Sequence, residues 1–173
     1  LYEAVLEEVR TSRVMIKAAQ QDVRESILSL RTTLSEDLPL LTALEQYVLE
    51  FGAQTGIEAR FEKANVLSVQ LPPLAEMETI RIVQEALTNV RKHAQAAAVS
   101  VAVNASERYL SITICDNGIG LNLHQTERSH FGLATMRERA QKIGGTLTIT
   151  SAPGAGTVIH VRIPLLEPLL EHV

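Results

Sequence analysis

Apolar residues recur at every seventh position along the start of the chain: Tyr2, Val9, Ile16, Val23 and Leu30. Val5, Leu6, Ala19, Ile27 and Leu34 fill in beside them, and residues 1–35 contain neither Gly nor Pro. This pattern predicts one long amphipathic helix, on the order of 50 Å at 1.5 Å per residue. A seam of that length calls for a partner, so the segment reads as a helical hairpin or dimer stalk. Packing on its own domain is the plainer alternative. Ser35-Glu36-Asp37-Leu38-Pro39 then breaks the helix as a hinge.

Beyond the hinge the period changes from element to element. Leu40 to Gln54 predicts a second helix, Ile57 to Phe61 alternates like a strand, and Leu71-Pro72-Pro73 is a breaker. Ala75 to Ala94 predicts a strong helix whose buried stripe is Val83, Leu87, Val90 and Ala94. Val99–Asn104 and Tyr109–Cys115 read as strands around a turn at Ala105–Arg108. The stretch from Gly120 to Phe131 has no apolar period and reads as a mobile loop. Gly132 to Ile143 is a short helix ended by Gly144-Gly145, and strands Thr146–Thr150 and Thr157–Ile163 follow, joined by Pro-Gly-Ala-Gly. This order predicts an α/β class, a two-layer sandwich of one sheet with helices on one face, preceded by the long helix. The expected divisions are 1–37 for the helical region and hinge, 38–166 for the domain, and 167–173 for a frayed tail.

Composition narrows the function. Of 173 residues, 46% are hydrophobic and only 3% aromatic, so the core is mainly aliphatic. The net charge of −4 gives no global field for nucleic acid or an anionic membrane. A single cysteine, Cys115, excludes an internal disulfide framework and suits a reducing cytoplasm. No apolar run approaches the ~20 residues that span a bilayer. The chain starts at Leu1, so a longer parent protein, membrane-anchored or not, is expected.

Four short segments offer chemistry. On the helix Ala75–Ala94, "QEALTNVRKHA" sets Glu85, Asn89, Lys92 and His93 on adjoining polar positions. An Asn carbonyl oxygen suits one site on Mg²⁺, and Lys92 supplies a point charge for phosphate oxygens. A solvated helix face explains the same residues. Asp116-Asn117-Gly118-Ile119-Gly120 follows an apolar strand. A carboxylate there can accept from an exocyclic amine such as adenine N6, while glycines admit a flat ring. Asp-Asn-Gly is equally good turn chemistry. Phe131-Gly132-Leu133 opens a helix whose free N–H groups suit phosphate. Gly154-Ala155-Gly156-Thr157 is either a plain hairpin or a support, through Thr157, for the carboxylate of Asp116. No Walker A sequence, complete dinucleotide fingerprint, zinc-protease helix or nucleophile elbow is present. The five histidines lack metal-ligand spacing, and aromatics for stacking nucleic acid are too few.

In this order the four segments resemble the N, G1, G2 and G3 boxes of the GHKL ATPase superfamily. The nearest likeness is to two-component sensor histidine kinases of the nitrate-sensor type, and "DVRESILSLR" resembles the end of their second dimerisation helix. The resemblance implies a Bergerat-type ATP-binding fold with ATP and Mg²⁺ as ligands. It makes Asn89 the Mg²⁺ ligand, with Lys92 and His93 near the phosphates. Asp116 becomes the adenine reader, Gly118 and Gly120 the close-approach glycines, and Thr157 the support of Asp116. Gly132 and Leu133 open the helix that closes a lid over Leu121–His130. Glu85 becomes either a catalytic base or an orienter of the Mg²⁺ shell. His130 stands where the common pattern has the first glycine of Gly-x-Gly-Leu, and the second aromatic box is missing. The implied activity is transfer of the ATP γ-phosphoryl to a histidine outside this chain, for relay to a response-regulator aspartate. Residues 1–35 contain no histidine, which places the expected acceptor upstream. The implied partners are a NarL-type response regulator and a second copy through the first helix, without nucleic acid or membrane contact. The implied setting is a cytoplasmic domain. Two alternatives stand beside it: a GHKL nucleotide switch or scaffold without kinase activity, and an anti-sigma-factor-type serine kinase.

Overall fold

The computed structural model describes residues 39–66, 70–121 and 131–165. The heptad helix, the hinge as far as Leu38, most of the expected lid and the tail lie outside them. Helix α1 (Leu40–Thr55) starts after Pro39, whose extended backbone sets the turn into the helix. It stops at Gly56, which takes a left-handed φ of 74° and returns its N–H to the Gly52 carbonyl at 2.9 Å. Strand β1 (Glu58–Ala64) leads to helix α2 (Pro73–Asn89), which the Pro72-Pro73 pair opens where a missing N–H costs least.

The expected helix through Ala94 changes its winding before it ends. Val90–Ala94 forms one π-helical turn, closed by Gln95 at φ 50°. The wider turn keeps Val90 and Ala94 buried as the sequence stripe required, and releases the Ala94 carbonyl to accept from Ile119 N–H at 2.8 Å. Nothing in a 3.6-residue period distinguishes that last turn.

Strands β2 (Ala98–Ala105) and β3 (Tyr109–Asp116), helix α3 (Phe131–Lys142), and strands β4 (Thr146–Ser151) and β5 (Thr157–Pro164) complete the domain. They form a five-stranded sheet in the order β1-β2-β3-β5-β4. Only β1 and β2 run parallel, which the α2 crossover between them permits. Register fixes which side is apolar. Val101 pairs with Ile114 and Ile114 with Ile159; Val103 pairs with Ile112 and Ile112 with Val161. All of these are buried, and each full burial contributes roughly 1.5–3 kcal/mol. The intervening residues, such as Ser100, Ser111, Thr113 and His160, are partly exposed on the opposite face. The helices therefore cover one face, as the element order predicted. Helix α2 packs between α1 and α3, and α1 meets β1 while α3 meets β4.

One acid interrupts the apolar stripe of α2. Glu78 lies three residues from Ala75 and four from Ile82, and its side chain is 1% exposed. Arg139 and Lys142 on α3 each reach it at 2.7 Å. Burial pushes the Glu78 carboxyl up, but hydrogen bonds from Lys142 and Arg139, with their charges, outweigh burial and hold it below the usual carboxylate range. A depressed carboxyl stabilises the fold above its unfolded-state pKa and loses that contribution as pH falls through the folded value. Glu78→Gln should lower stability at pH 7 by about 2 kcal/mol, since Arg139 and Lys142 retain some access to water. It should also flatten the acid limb below about pH 4. Urea unfolding at pH 7 and in steps down to pH 3 measures both; equal acid limbs for the two proteins would refute the linkage.

Candidate nucleotide site

At one end of the sheet, β3 and β5 pair so that Asp116 stands opposite Thr157. The alternation that buries Ile112 and Ile114 turns Asp116 to the same covered face. Both residues are nearly buried, at 7% and 8% exposure. Asp116 Oδ1 accepts the Gly118 N–H at 2.8 Å, which fixes the carboxylate at the cavity wall. The carboxylate therefore stays poised as an acceptor.

A cavity of about 180 Å³ opens between this end of the sheet, the end of α2 and the start of α3. Asn89, His93, Asp116, Gly120, Gly132, Leu133 and Thr157 line it, with an aliphatic floor that includes Ile114 and Ile159. Seven of the ten residues singled out in the sequence thus meet in one place. The π-turn contributes here, because Asn89, Val90, His93 and Ala94 all face the cavity. Asn89 Nδ2 is buried without a hydrogen-bond partner among the described residues. A half-turn of its amide exchanges nitrogen for oxygen at the same place, so this wall presents a polar group lacking a ligand.

The other three residues sit off the wall. Lys92 is exposed and does not line the cavity. Glu85 is half-buried and lies against α3: a Cβ added to Gly132 would collide with Glu85 Oε1 and stand 3.4 Å from Asn89 Nδ2. Gly132 is where the polar side of α2 touches the first turn of α3, so a side chain there would have to displace the Glu85 carboxylate. Gly118 lies beneath the wall, against the π-turn.

The glycines of the loop after β3 have a different cause from the one expected. A Cβ on Gly118 would collide with the Ala94 carbonyl, and one on Gly120, at φ 67°, with the Ala152 carbonyl. Gly156, at φ 71°, meets the Asp116 carbonyl in the same way. The protein's own backbone, not a ligand, fills the space a side chain would need at these positions. The Gly154 N–H to Ile119 carbonyl bond at 2.7 Å locks the β3 loop to the β4–β5 hairpin.

Two residues outside the expected set hold this assembly. Asn117 Oδ1 accepts from Ala97 N–H at 3.0 Å and from Ala98 N–H at 2.9 Å, pinning the loop to the start of β2. Ser151, at the end of β4, accepts from Leu121 N–H at 2.7 Å, donates to the Gly156 carbonyl at 2.8 Å and lies 3.1 Å from Thr157 Oγ1. Asn in a turn was a visible signal for the first. Ser151's partners lie in the loop after β3, at Leu121, and across its own hairpin, at Gly156 and Thr157, and no periodicity reveals that meeting.

If the glycine at 118 serves the chain's own packing, Gly118→Ala should destabilise the ligand-free protein by about 2 kcal/mol or more, since backbone must shift. Thermal unfolding without ligand checks this; an unchanged midpoint would mean that the close approach to Ala94 does not require glycine.

Comparison with known proteins agrees with this geometry. The profile of the family "Histidine kinase-, DNA gyrase B-, and HSP90-like ATPase" matches residues 75–167, a stretch from the first turn of α2 to just beyond β5. The signal transduction histidine-protein kinase/phosphatase DegS of Brevibacillus brevis is 36% identical over 163 residues, covering 94% of this chain and 42% of that protein. The sensor histidine kinase LiaS of Bacillus subtilis is 31% identical over 163 residues, covering 94% and 44%. The chain thus spans less than half the length of these relatives. Among solved structures, the histidine kinase domain of the blue-light-activated histidine kinase of Erythrobacter litoralis EL346 matches with a TM-score of 0.65. That match covers 89% of this chain and 85% of the other at 23% identity, so it bears on the fold alone. A profile spanning more than half the chain, over the elements that build the cavity, decides membership: the chain belongs to the histidine kinase-, DNA gyrase B- and HSP90-like ATPase family.

Proposed function

We propose that the cavity binds Mg·ATP and that the chain is the catalytic part of a sensor histidine kinase. The observation that carries this is the polarity of a single cavity. One end has a fixed, nearly buried carboxylate, Asp116, and the other has the first turn of α3 at Gly132 with the orphaned amide of Asn89. Adenine fits the carboxylate end, with its amine donating to Asp116 and its ring over the aliphatic floor. Phosphates fit the free N–H groups and positive dipole end of α3. His93, on the π-turn, lines the same cavity, while Lys92 beside it stands off the wall.

The donor set also suits Mg²⁺. Among the described residues no group of three His, Cys, Asp or Glu is placed to hold a metal. A metal here must take most of its ligands from phosphate and water, as Mg²⁺ does, with Asn89 as the protein's contribution. Bound there, it would neutralise charge on the phosphates. Glu85, beside Gly132 and one turn from Asn89, is positioned to orient that shell through water.

In the whole protein the γ-phosphoryl goes to a histidine outside this chain and then to a response-regulator aspartate. The regulator is of the NarL type, the first helix forms the homodimer, and the domain works in the cytoplasm. The sequence of residues 22–31 and the relatives DegS and LiaS support this reading. Among the described residues no helix is long and apolar enough to cross a membrane. The long first segment and the relatives named favour a kinase over a nucleotide switch.

Calorimetry tests the site. Asp116→Asn keeps the size but removes an acceptor-only group, and should weaken ADP by about tenfold or more. Asn89→Ala should weaken Mg·ATP strongly and metal-free ADP little. In the whole protein both variants should lose autophosphorylation. Unchanged ADP binding in Asp116→Asn, or equal losses for every ligand in Asn89→Ala, would refute the assignments.

A further inference from the structure

We infer that Ser151 is a positioning residue for base recognition: it fixes Thr157 as a hydrogen-bond acceptor toward the ligand. The inference rests on the nucleotide reading of the cavity and goes beyond it. Its basis is a proton inventory. A serine hydroxyl has one proton and two lone pairs. The Gly156 carbonyl only accepts, so the contact at 2.8 Å consumes the Ser151 proton. The Leu121 N–H only donates, so its 2.7 Å contact occupies one lone pair. The remaining contact, 3.1 Å to Thr157 Oγ1, can then run only one way: Thr157 donates and Ser151 accepts. Ser151 becomes fully satisfied, and Thr157 has no proton left for the cavity it lines.

Asp116, the cross-strand neighbour of Thr157, is also an acceptor, and its Oδ1 is already held by Gly118. The end of the cavity therefore offers acceptors side by side. That arrangement fits a base edge carrying an amino group, such as a 6-aminopurine. A 6-oxopurine would bring its O6 acceptor against that pair, with only the neighbouring N1–H left to donate, whereas a 6-amino group has two protons to give. The selectivity is thus set at a residue that does not line the cavity.

Removing the Ser151 hydroxyl returns the Thr157 proton to the cavity, where it can rotate to meet a 6-oxo group. The test is the affinity ratio of ADP to inosine diphosphate, measured by calorimetry. Wild type should prefer ADP. Ser151→Ala should reduce that preference by about five- to tenfold, mainly by improving inosine diphosphate. Ser151→Thr, which keeps a hydroxyl, should restore it. On a Thr157→Val background, which has no hydroxyl to redirect, Ser151→Ala should leave the ratio unchanged. A ratio in Ser151→Ala equal to wild type overturns the inference, as does an equal fall on the Thr157→Val background. Wild type that binds neither nucleotide, or both equally, overturns the reading of the cavity and this inference with it.

Discussion

Three backbone segments meet at one end of the sheet with no room for a side chain between them. The loop after β3 passes against the π-turn at Gly118 and against the β4–β5 hairpin at Gly120, while Gly156 of that hairpin abuts Asp116. Hydrogen bonds from Ile119 N–H to Ala94 and from Gly154 N–H to Ile119 close the crossing on both sides. Steric exclusion of this kind is stiff, because relieving it means moving backbone rather than rotating a side chain. The carboxylate of Asp116 inherits that stiffness, since its own N–H partner is Gly118. In the proposed role of base recognition, a group held so firmly would need little reorganisation when a ligand arrives.

The opposite end of the cavity is held by electrostatics. Helix α3 forms a wall through Gly132 and Leu133. Its later turns are tied to α2 by Glu78, with Arg139 and Lys142, beneath the apolar contacts of Leu133, Met136 and Ala140. A buried acid with two cations specifies the pairing of the two helices more sharply than aliphatic contact alone. Its desolvation keeps its net contribution to stability modest. The first turn of α3 is thereby set against Glu85 and Asn89. One end of the cavity is thus defined by backbone contact and the other by a helix held in place through a distant ion cluster.

Much of this was legible in the chain. Two-residue alternation located β2, β3 and β5 to within a residue or so at each end, because their inner faces are uniformly aliphatic. Pro72-Pro73 and Gly144-Gly145 marked helix limits for local conformational reasons. Asn89, Asp116, Gly132 and Thr157 were legible as a set because chemistry-bearing residues fell at the ends of predicted elements. The π-turn was not legible, since one turn carries too few apolar positions to separate two periods. The packing reason for Gly118 and Gly120 was not legible, because only the fold shows that Ala94 and Ala152 occupy the space of a side chain. Ser151 joins the remote Leu121 to its own hairpin, a contact that only the fold creates. Glu78 did leave a local signature: a carboxylate at the spacing of the buried positions of α2, where a cation partner is expected.

The central claim is that one cavity reads a base at Asp116 and phosphates at Gly132. Backbone amide chemical shifts, followed during titration with adenosine and then with Mg·ADP, test it most directly. The account predicts that adenosine moves Gly118 and Thr157 while leaving Gly132 in place, and that Mg·ADP moves Gly132 and Asn89 as well. Adenosine shifts centred on Gly132, or Mg·ADP shifts that bypass Asp116, Gly118 and Thr157, would contradict it.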